Sequence, residues 1–402
     1  MATMQARWQI LTAAPHRMFF AGGMAWLLAW SGWWALLLGA RAAGFAGLEP
    51  TGPALLLHGA AMLFLAFTPF MYGFLLTVFP RWMSAPQGAQ PLLVTAFVSL
   101  NAGNLLFLVG LAGIPGLLVI GWVLAAAALA VVLAALTGIL WRARTRVSHA
   151  YGVIAGLAAG LTGMLLFAPA LLRGDYSAWP LVRGFGLWGF LLVVYFTVSH
   201  RMIPFFSSRV VPGYSTWRPD WILYAFVLLG LARAMLETAP GLGWLASVPM
   251  AAIAITCAVR WRPRVRTGVL LLDVLHVSLA WLAVGLALAA LADLATAVGT
   301  PGLVGRAPLH ALGMGYFGGM LMAMVTRVTL GHAGRPLALD VFGWRLFLAI
   351  QAAAVLRLAA EILPAADWLS LTAAVAWLVA LLAWVARHLP VYFRPRADGA
   401  PG

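Results

Sequence analysis

Histidines are the residues of this chain best suited to do chemistry, because imidazole binds metals and carries protons near neutral pH. Two of the eight, His58 and His310, each stand about four residues inside a strongly apolar segment, roughly 6 Å deep at the rise of a helix. Imidazoles at matching depth on neighbouring helices can hold a haem iron between them. The alternative is that each imidazole donates a hydrogen bond to a carbonyl of an adjacent helix.

A third histidine, His276, follows Asp273 by three residues in another apolar segment, so the two side chains share one face of a helix. A carboxylate at this spacing can orient an imidazole that binds a metal or carries a proton. The same pair can equally form a purely structural hydrogen bond. We therefore predict His276 as a cofactor-binding candidate and keep the structural pairing as the alternative.

Polar residues also collect where other apolar segments end. His200 and His332 stand at two such ends, and arginines follow each of them closely. Ionisable groups in a membrane are costly unless they have partners, so they mark candidate functional sites. We predict His332 as a further cofactor-binding candidate. These segment ends predict one polar cluster, which comprises Asp273, His200, Arg201, Arg327 and Arg335.

Small residues follow His310 closely. Gly315 and Gly319 form the small-xxx-small pattern that lets helices pack tightly. Together with Gly313 and Gly318, they would also let a flat macrocycle approach the backbone beside His310.

The lone cysteine, Cys257, excludes an intrachain disulfide and is predicted to be a packing residue.

Membrane helices must position these side chains. Of the 402 residues, 64% are hydrophobic and only 9% are charged, a balance far from that of a soluble domain. Uncharged runs of about 20 residues match the hydrocarbon core of a bilayer. We predict an all-α polytopic bundle that forms a single transmembrane domain over residues 1–402. Its twelve predicted helices are 18–39, 54–79, 91–112, 116–141, 149–172, 181–205, 219–237, 242–260, 268–294, 306–330, 341–362 and 366–389.

Arginine supplies all 25 basic residues, since the chain contains no lysine, and the formal net charge is +15. That charge alone could suggest a nucleic-acid partner, but the arginines concentrate in alternate loops between the predicted helices. Positive residues favour the cytoplasmic side of a membrane. The pattern therefore predicts cytoplasmic termini and a lipid bilayer as partner, with no nucleic acid bound.

Four stretches of the chain, spread from about residue 16 to 340, resemble the NnrS family of membrane proteins. The most distinctive begins with His310-Ala311-Leu312-Gly313-Met314-Gly315 and continues to Leu337. The similar stretches are His310–Gly315 with Met324–Arg327 and Leu330–Leu337, His58–Trp82 with Gly73–Thr77 inside it, Arg201–Phe206, and Leu275–His276 with Ala280–Leu282.

This resemblance implies a bacterial inner-membrane protein with twelve helices that binds haem b and is linked to nitric oxide stress and denitrification. Nitric oxide and a redox partner are the implied partners, and copper is also reported for the family. His58 and His310 are the metal ligands that we predict for the haem. Two strong axial ligands favour electron transfer or ligand sensing, since catalysis at iron needs an open position. Whether the protein is an enzyme stays open at this point.

The chain departs from the family pattern at the head of the second segment. Family members usually carry His-x-His-Glu there, whereas this chain has His58-Gly59-Ala60-Ala61. Ala60 and Ala61 replace a histidine and a glutamate, so a copper site or proton path built on that pair is lost. Ligation of haem by His58 survives the change.

A more distant likeness concerns the catalytic subunits of haem-copper oxidases. These proteins also have twelve helices and hold a haem between histidines of the second and tenth. Here the sixth and seventh segments lack the buried histidines that hold an oxidase's copper, because His200 is at a segment end and residues 219–237 contain none. We interpret the likeness as one of scaffold, without oxygen reduction.

Two alternatives from other functional classes are open at the level of sequence. One is a proton-coupled transporter of small solutes, with Asp273, His276 and Asp293 lining its path. The other is a degenerate family member without a full metal site, which Ala60 and Ala61 favour.

Overall fold

The computed structural model describes residues 4–263, 267–363 and 367–399, and within these ranges it forms helices and no strand. Twelve helices are long and apolar enough to cross a membrane. The all-α architecture and the predicted helix count are therefore confirmed, and the chain is a multi-pass membrane protein. The helices are α1 Pro15–Ala42, α2 Ala54–Trp82, α3 Gln90–Gly110, α4 Pro115–Arg142, α5 Ser148–Arg173, α6 Trp179–Val210, α7 Asp220–Thr238, α8 Trp244–Trp261, α9 Leu270–Ala297, α10 Ala307–His332, α11 Val341–Ile362 and α12 Trp368–Phe393.

Several helices extend beyond the predicted ranges. Helix α1 gains a turn at each end, and α6 continues to Val210 instead of ending near residue 205. The prediction followed apolar side chains, whereas backbone hydrogen bonding continues through the polar residues at the membrane rim. The first residue of the predicted twelfth helix, Ala366, lies outside the described residues.

The chain forms two compact units. The first contains the chain up to Val194 together with the segment from Leu389 onward. Within it, α1 packs on α2, α3 on α4, α4 on α5, and α5 on the first half of α6. The prediction of one transmembrane domain stays a prediction.

Two glycines bring α3 and α4 of the first unit into backbone contact. A Cβ on Gly121 would lie 2.4 Å from the backbone nitrogen of Phe107, and one on Gly103 would lie 2.7 Å from the carbonyl oxygen of Gly121. No side chain larger than hydrogen fits at that separation. The small residues therefore set how closely these two helices pack.

The second unit is Tyr195–His388. Helix α10 packs between α9 and α11 in this unit, while α8 lies on α9 and α12 lies on α11. Since α10 carries His310, the two neighbouring helices supply most of the surroundings of that histidine.

Three helices contain π-helical segments within the described part of the chain. These segments are Met62–Ala66 in α2, Phe185–Leu192 in α6 and Ala311–Gly318 in α10. The same three helices are the most enclosed of the twelve. In α2, α6 and α10, 83%, 78% and 78% of the residues in an apolar 18-residue stretch are buried, against 33–50% in the other helices. A π-turn adds a residue to the helix and is frequent at functional sites.

Candidate functional site

His310 ends the first turn of α10. Pro308 stands in that turn, where its missing N–H leaves no intrahelical bond unmade. Nδ1 of His310 lies 3.1 Å from the carbonyl oxygen of Arg306. A carbonyl oxygen only accepts, so Nδ1 carries the proton and donates it, and Nε2 keeps its lone pair. This is the tautomer in which an imidazole can bind a metal through Nε2.

The same hydrogen bond recurs at two other histidines of the second unit. Nδ1 of His332 lies 3.0 Å from the carbonyl oxygen of Val328, and Nδ1 of His388 lies 2.8 Å from that of Trp384. A bond from Nδ1 to the carbonyl four residues earlier is thus not specific to one site. What distinguishes His310 is the π-helical segment that follows it directly.

The glycines after His310 differ in what surrounds them. A Cβ on Gly315 would lie 2.4 Å from the Trp281 ring, one on Gly318 2.3 Å from Trp377, and one on Gly319 2.6 Å from Oγ of Ser278. A Cβ on Gly313 would meet nothing within 4 Å. Three glycines therefore allow close helix packing, and Gly313 leaves open space one turn from His310.

His58 lies in the second turn of α2 and is half-buried. Its ring stacks on the indole of Trp34 from α1, with ring centroids 3.9 Å apart and an angle of 15° between the planes. The next residue, Gly59, lies against Trp179, where a Cβ would come within 2.8 Å of the indole. The aromatic rings of neighbouring helices thus fix the plane of the His58 imidazole.

Ala60 and Ala61 have no exposed surface. The positions where the resemblance implies a histidine and a glutamate are therefore filled by methyl groups packed in the interior. The π-helical segment Met62–Ala66 begins directly after them. His58 on α2 and His310 on α10 thus share one local arrangement, a histidine in the first turns followed by a π-helical segment.

His276 bonds to a residue that the sequence analysis did not name. Its Nε2 lies 3.1 Å from Oγ of Ser207, and its Nδ1 is buried without a hydrogen-bond partner among the described residues. Asp273 instead accepts a hydrogen bond from Oγ1 of Thr267 at 3.3 Å. The carboxylate that shares the helical face with His276 therefore does not orient it by a hydrogen bond.

Aromatic rings contact two members of the predicted polar cluster, which itself stays a prediction. The guanidinium of Arg327 lies 3.8 Å from the centre of the Phe206 ring near the end of α6. The prediction that His200 stands at a segment end was wrong, because α6 continues to Val210. His200 is fully buried within α6, with its ring 5.7 Å from that of Trp261. Each of these two basic groups thus contacts an aromatic ring.

Backbone atoms of two other members of the predicted cluster also form hydrogen bonds. The carbonyl oxygen of Arg201 accepts from the guanidinium of Arg218 at 3.3 Å. The backbone N–H of Arg335 donates to the carbonyl of Leu330 at 3.0 Å. The Arg335 bond closes the turn after α10, whereas the Arg201 carbonyl lies within α6, which continues to Val210.

Asp293, which the transporter alternative requires on an open path, belongs to a buried ion pair. Arg233 binds both carboxylate oxygens of Asp293 at 2.9 Å and a carboxylate oxygen of Glu237 at 2.8 Å. Asp273 lies 20 residues earlier on the same helix, about 30 Å away at the helical rise. Asp273 and Asp293 therefore form two separate environments at opposite ends of α9.

Comparison with known families identifies the protein at the family level. A sequence model described as NnrS protein matches residues 10–396. The chain belongs to the NnrS family. The match covers all twelve membrane helices, so membership applies to the whole bundle. A comparison with curated proteins found no match to the chain.

Residues that support the two histidines were missed by the sequence analysis. Trp34 has no local signal, because its stacking on His58 joins two helices. A local signal did exist for Arg357 and Glu361. A charge inside a membrane segment needs a partner, and these two residues of opposite charge are four residues apart. Arg306, whose carbonyl holds His310, acts through its backbone, for which the side-chain type gives no signal.

Proposed function

We propose that this NnrS protein is a haem-binding protein of the bacterial inner membrane that acts in the nitric oxide response or in denitrification-linked metabolism. His58 and His310 are the proposed axial ligands of a haem b, and the proposed activity is electron transfer or ligand binding at its iron. Family membership supports the general role. The surroundings of His310 support the assignment of the ligands.

The observation that carries the proposal is the tautomer of His310 together with the space beside it. Its Nδ1 proton is donated to the carbonyl oxygen of Arg306, which leaves the Nε2 lone pair for a metal. For Gly313, three residues later, no described atom beyond its chain neighbours and its own helix backbone lies within 4 Å of the position that a Cβ would take. A planar macrocycle needs such a gap beside its ligand.

His58 is suited to be the second axial ligand because a neighbouring ring fixes its orientation. Stacking on Trp34 fixes the plane of its ring, and the ring is half-buried rather than enclosed on all sides. Burial by indole rings also lowers the local dielectric, and burial is one of the means by which a protein sets the reduction potential of haem. Trp34 therefore orients the ligand and shields it from water.

When bound, haem supplies an iron that changes oxidation state and binds small ligands such as nitric oxide. The chain supplies the two imidazoles, the carbonyl of Arg306 that fixes one tautomer, and the indole that fixes the other ring. Copper does not fit in the same way. Ala60 and Ala61 supply no donor in place of the histidine and glutamate that the family pattern has there.

The test is a reduced-minus-oxidised visible spectrum of the detergent-purified protein, with iron analysis. We expect the wild type to show a sharp α band with stoichiometric iron, and His58→Ala or His310→Ala to lose it, because each removes one of two axial bonds. His388→Ala is the matched control, since His388 makes the same Nδ1 hydrogen bond on α12. A normal spectrum in both ligand variants would refute the assignment.

The role in the nitric oxide response is tested on the same preparation. Addition of nitric oxide to the reduced protein should shift the haem bands, because the gas competes with an axial imidazole for iron. An unchanged spectrum would restrict the proposal to electron transfer.

A further inference from the structure

Glu361 lies in the last turn of α11, where it forms an ion pair with Arg357 four residues earlier. Their side chains are only 13% and 14% exposed. A carboxylate and a guanidinium with so little access to water are costly to bury unless their hydrogen bonds are used. The contacts of Glu361 indicate what the pair is used for.

One carboxylate oxygen of Glu361 accepts from Nη2 of Arg357. The other accepts from the backbone N–H of Arg306 at 2.9 Å. Arg306 immediately precedes α10, and its carbonyl oxygen accepts the Nδ1 proton of His310 at 3.1 Å. Arg306 is therefore held at its N–H by a carboxylate of α11 and at its carbonyl by the imidazole.

The turn before Arg306 is shaped around the same carboxylate. Gly305 has a φ of +51°, and a Cβ there would lie 2.5 Å from Oε2 of Glu361. Only glycine satisfies both the positive φ and this close approach. The chain thus places an exposed turn directly against a carboxylate whose charge is balanced by Arg357.

We propose that Glu361, with Arg357 as its counter-ion, is a positioning residue for His310. It fixes Arg306, so that the carbonyl stays aimed at Nδ1 of His310 and Nε2 stays available for the metal. This inference deepens the proposed function and rests on it.

The arrangement has a directional consequence for a haem bound through His310. A firm hydrogen bond from Nδ1–H to a carbonyl makes Nε2 a stronger donor, which stabilises the oxidised iron and lowers the reduction potential. Releasing Arg306 weakens that bond. The midpoint potential should therefore rise when Glu361 is removed.

The experiment compares Glu361→Ala and Glu361→Gln with the wild type by redox titration and by low-temperature EPR of the oxidised protein. We expect Glu361→Ala to shift the midpoint potential upward and to change the low-spin g values. Glu361→Gln should recover at least part of the wild-type values, since its amide oxygen still accepts from the Arg306 N–H. Thermal melting checks that both variants are folded.

Glu237→Ala is the matched control. Glu237 pairs with Arg233 at the same four-residue spacing in the same unit, and it lies on α7, whereas His310 lies on α10. Its potential and g values should equal those of the wild type. Equal values in all variants, or the same shift for alanine and glutamine, would overturn the positioning role. A colourless wild type would instead overturn the proposed function and the inference with it.

Discussion

At the scale of single residues, Gly313 and Gly315 show how two similar positions on α10 differ. The Gly315 Cα faces the ring of Trp281, whose indole N–H is itself held by Oε1 of Gln351 at 2.6 Å. That ring has little freedom to move away. Gly313 faces open space.

This difference predicts opposite outcomes for two substitutions. Gly315→Ala should destabilise the protein by about 1–3 kcal/mol through overpacking against Trp281. Gly313→Leu should leave the melting temperature near that of the wild type and reduce haem content, because its side chain occupies the gap beside His310. Melting curves and haem-to-protein ratios of both variants check this, and a loss of stability in Gly313→Leu with normal haem content would contradict it.

At the scale of helices, a buried ion triad joins α7 to α9. Arg233 on α7 binds Asp293 on α9 through two parallel hydrogen bonds, and Glu237 completes the group. Gly243 at the start of α8 permits the approach, since a Cβ there would lie 2.8 Å from the Asp293 carboxylate. One cation therefore serves two carboxylates.

The charge balance of the triad predicts unequal effects of mutation. Arg233→Met should lower the free energy of unfolding by about 3–5 kcal/mol, because it leaves two buried carboxylates without their cation. Asp293→Asn should be milder, since Arg233 and Glu237 still form a neutral pair. Thermal unfolding in one detergent compares them. Equal destabilisation by the two variants would show that the charge balance is not the controlling factor.

At the scale of the whole molecule, the arginine pattern predicts which loops face the cytoplasm. The loop after α4 carries three arginines in five residues, at 142, 144 and 146, whereas the loop after α5 carries Asp175. Thr145 and Ser177 are exposed in these two loops. The native Cys257 is fully buried, so it contributes little background to thiol labelling.

Cysteine labelling in intact cells tests this topology. Thr145→Cys should react with a membrane-impermeant maleimide only after the cells are opened, and Ser177→Cys should react before. The physical reason is the preference of positive loops for the cytoplasmic side. The reverse pattern would invert the predicted orientation without affecting the helix count.

The sequence by itself determined that the chain crosses the membrane twelve times and where each helix lies to within a few residues. The free energy of burying an apolar helix in lipid depends on the residues of that segment alone. It can therefore be summed along the chain without knowledge of any contact between helices. The depth of His58 and His310 and the likeness to NnrS proteins follow from the same local patterns.

Only the tertiary structure decided how those histidines are held. Trp34 is 24 residues from His58, and Glu361 is 55 residues from Arg306, and nothing in the local pattern pairs them. The π-helical segments were also hidden, because one extra residue in a turn leaves the apolar pattern unchanged while it shifts the later side chains. Asp273 and His276 show the converse, since they share a helical face but have different partners. Asp273 binds Thr267, just before α9, and His276 binds Ser207 of α6. Contacts between helices depend on which faces meet, and a single sequence encodes that choice only through the packing of the whole bundle.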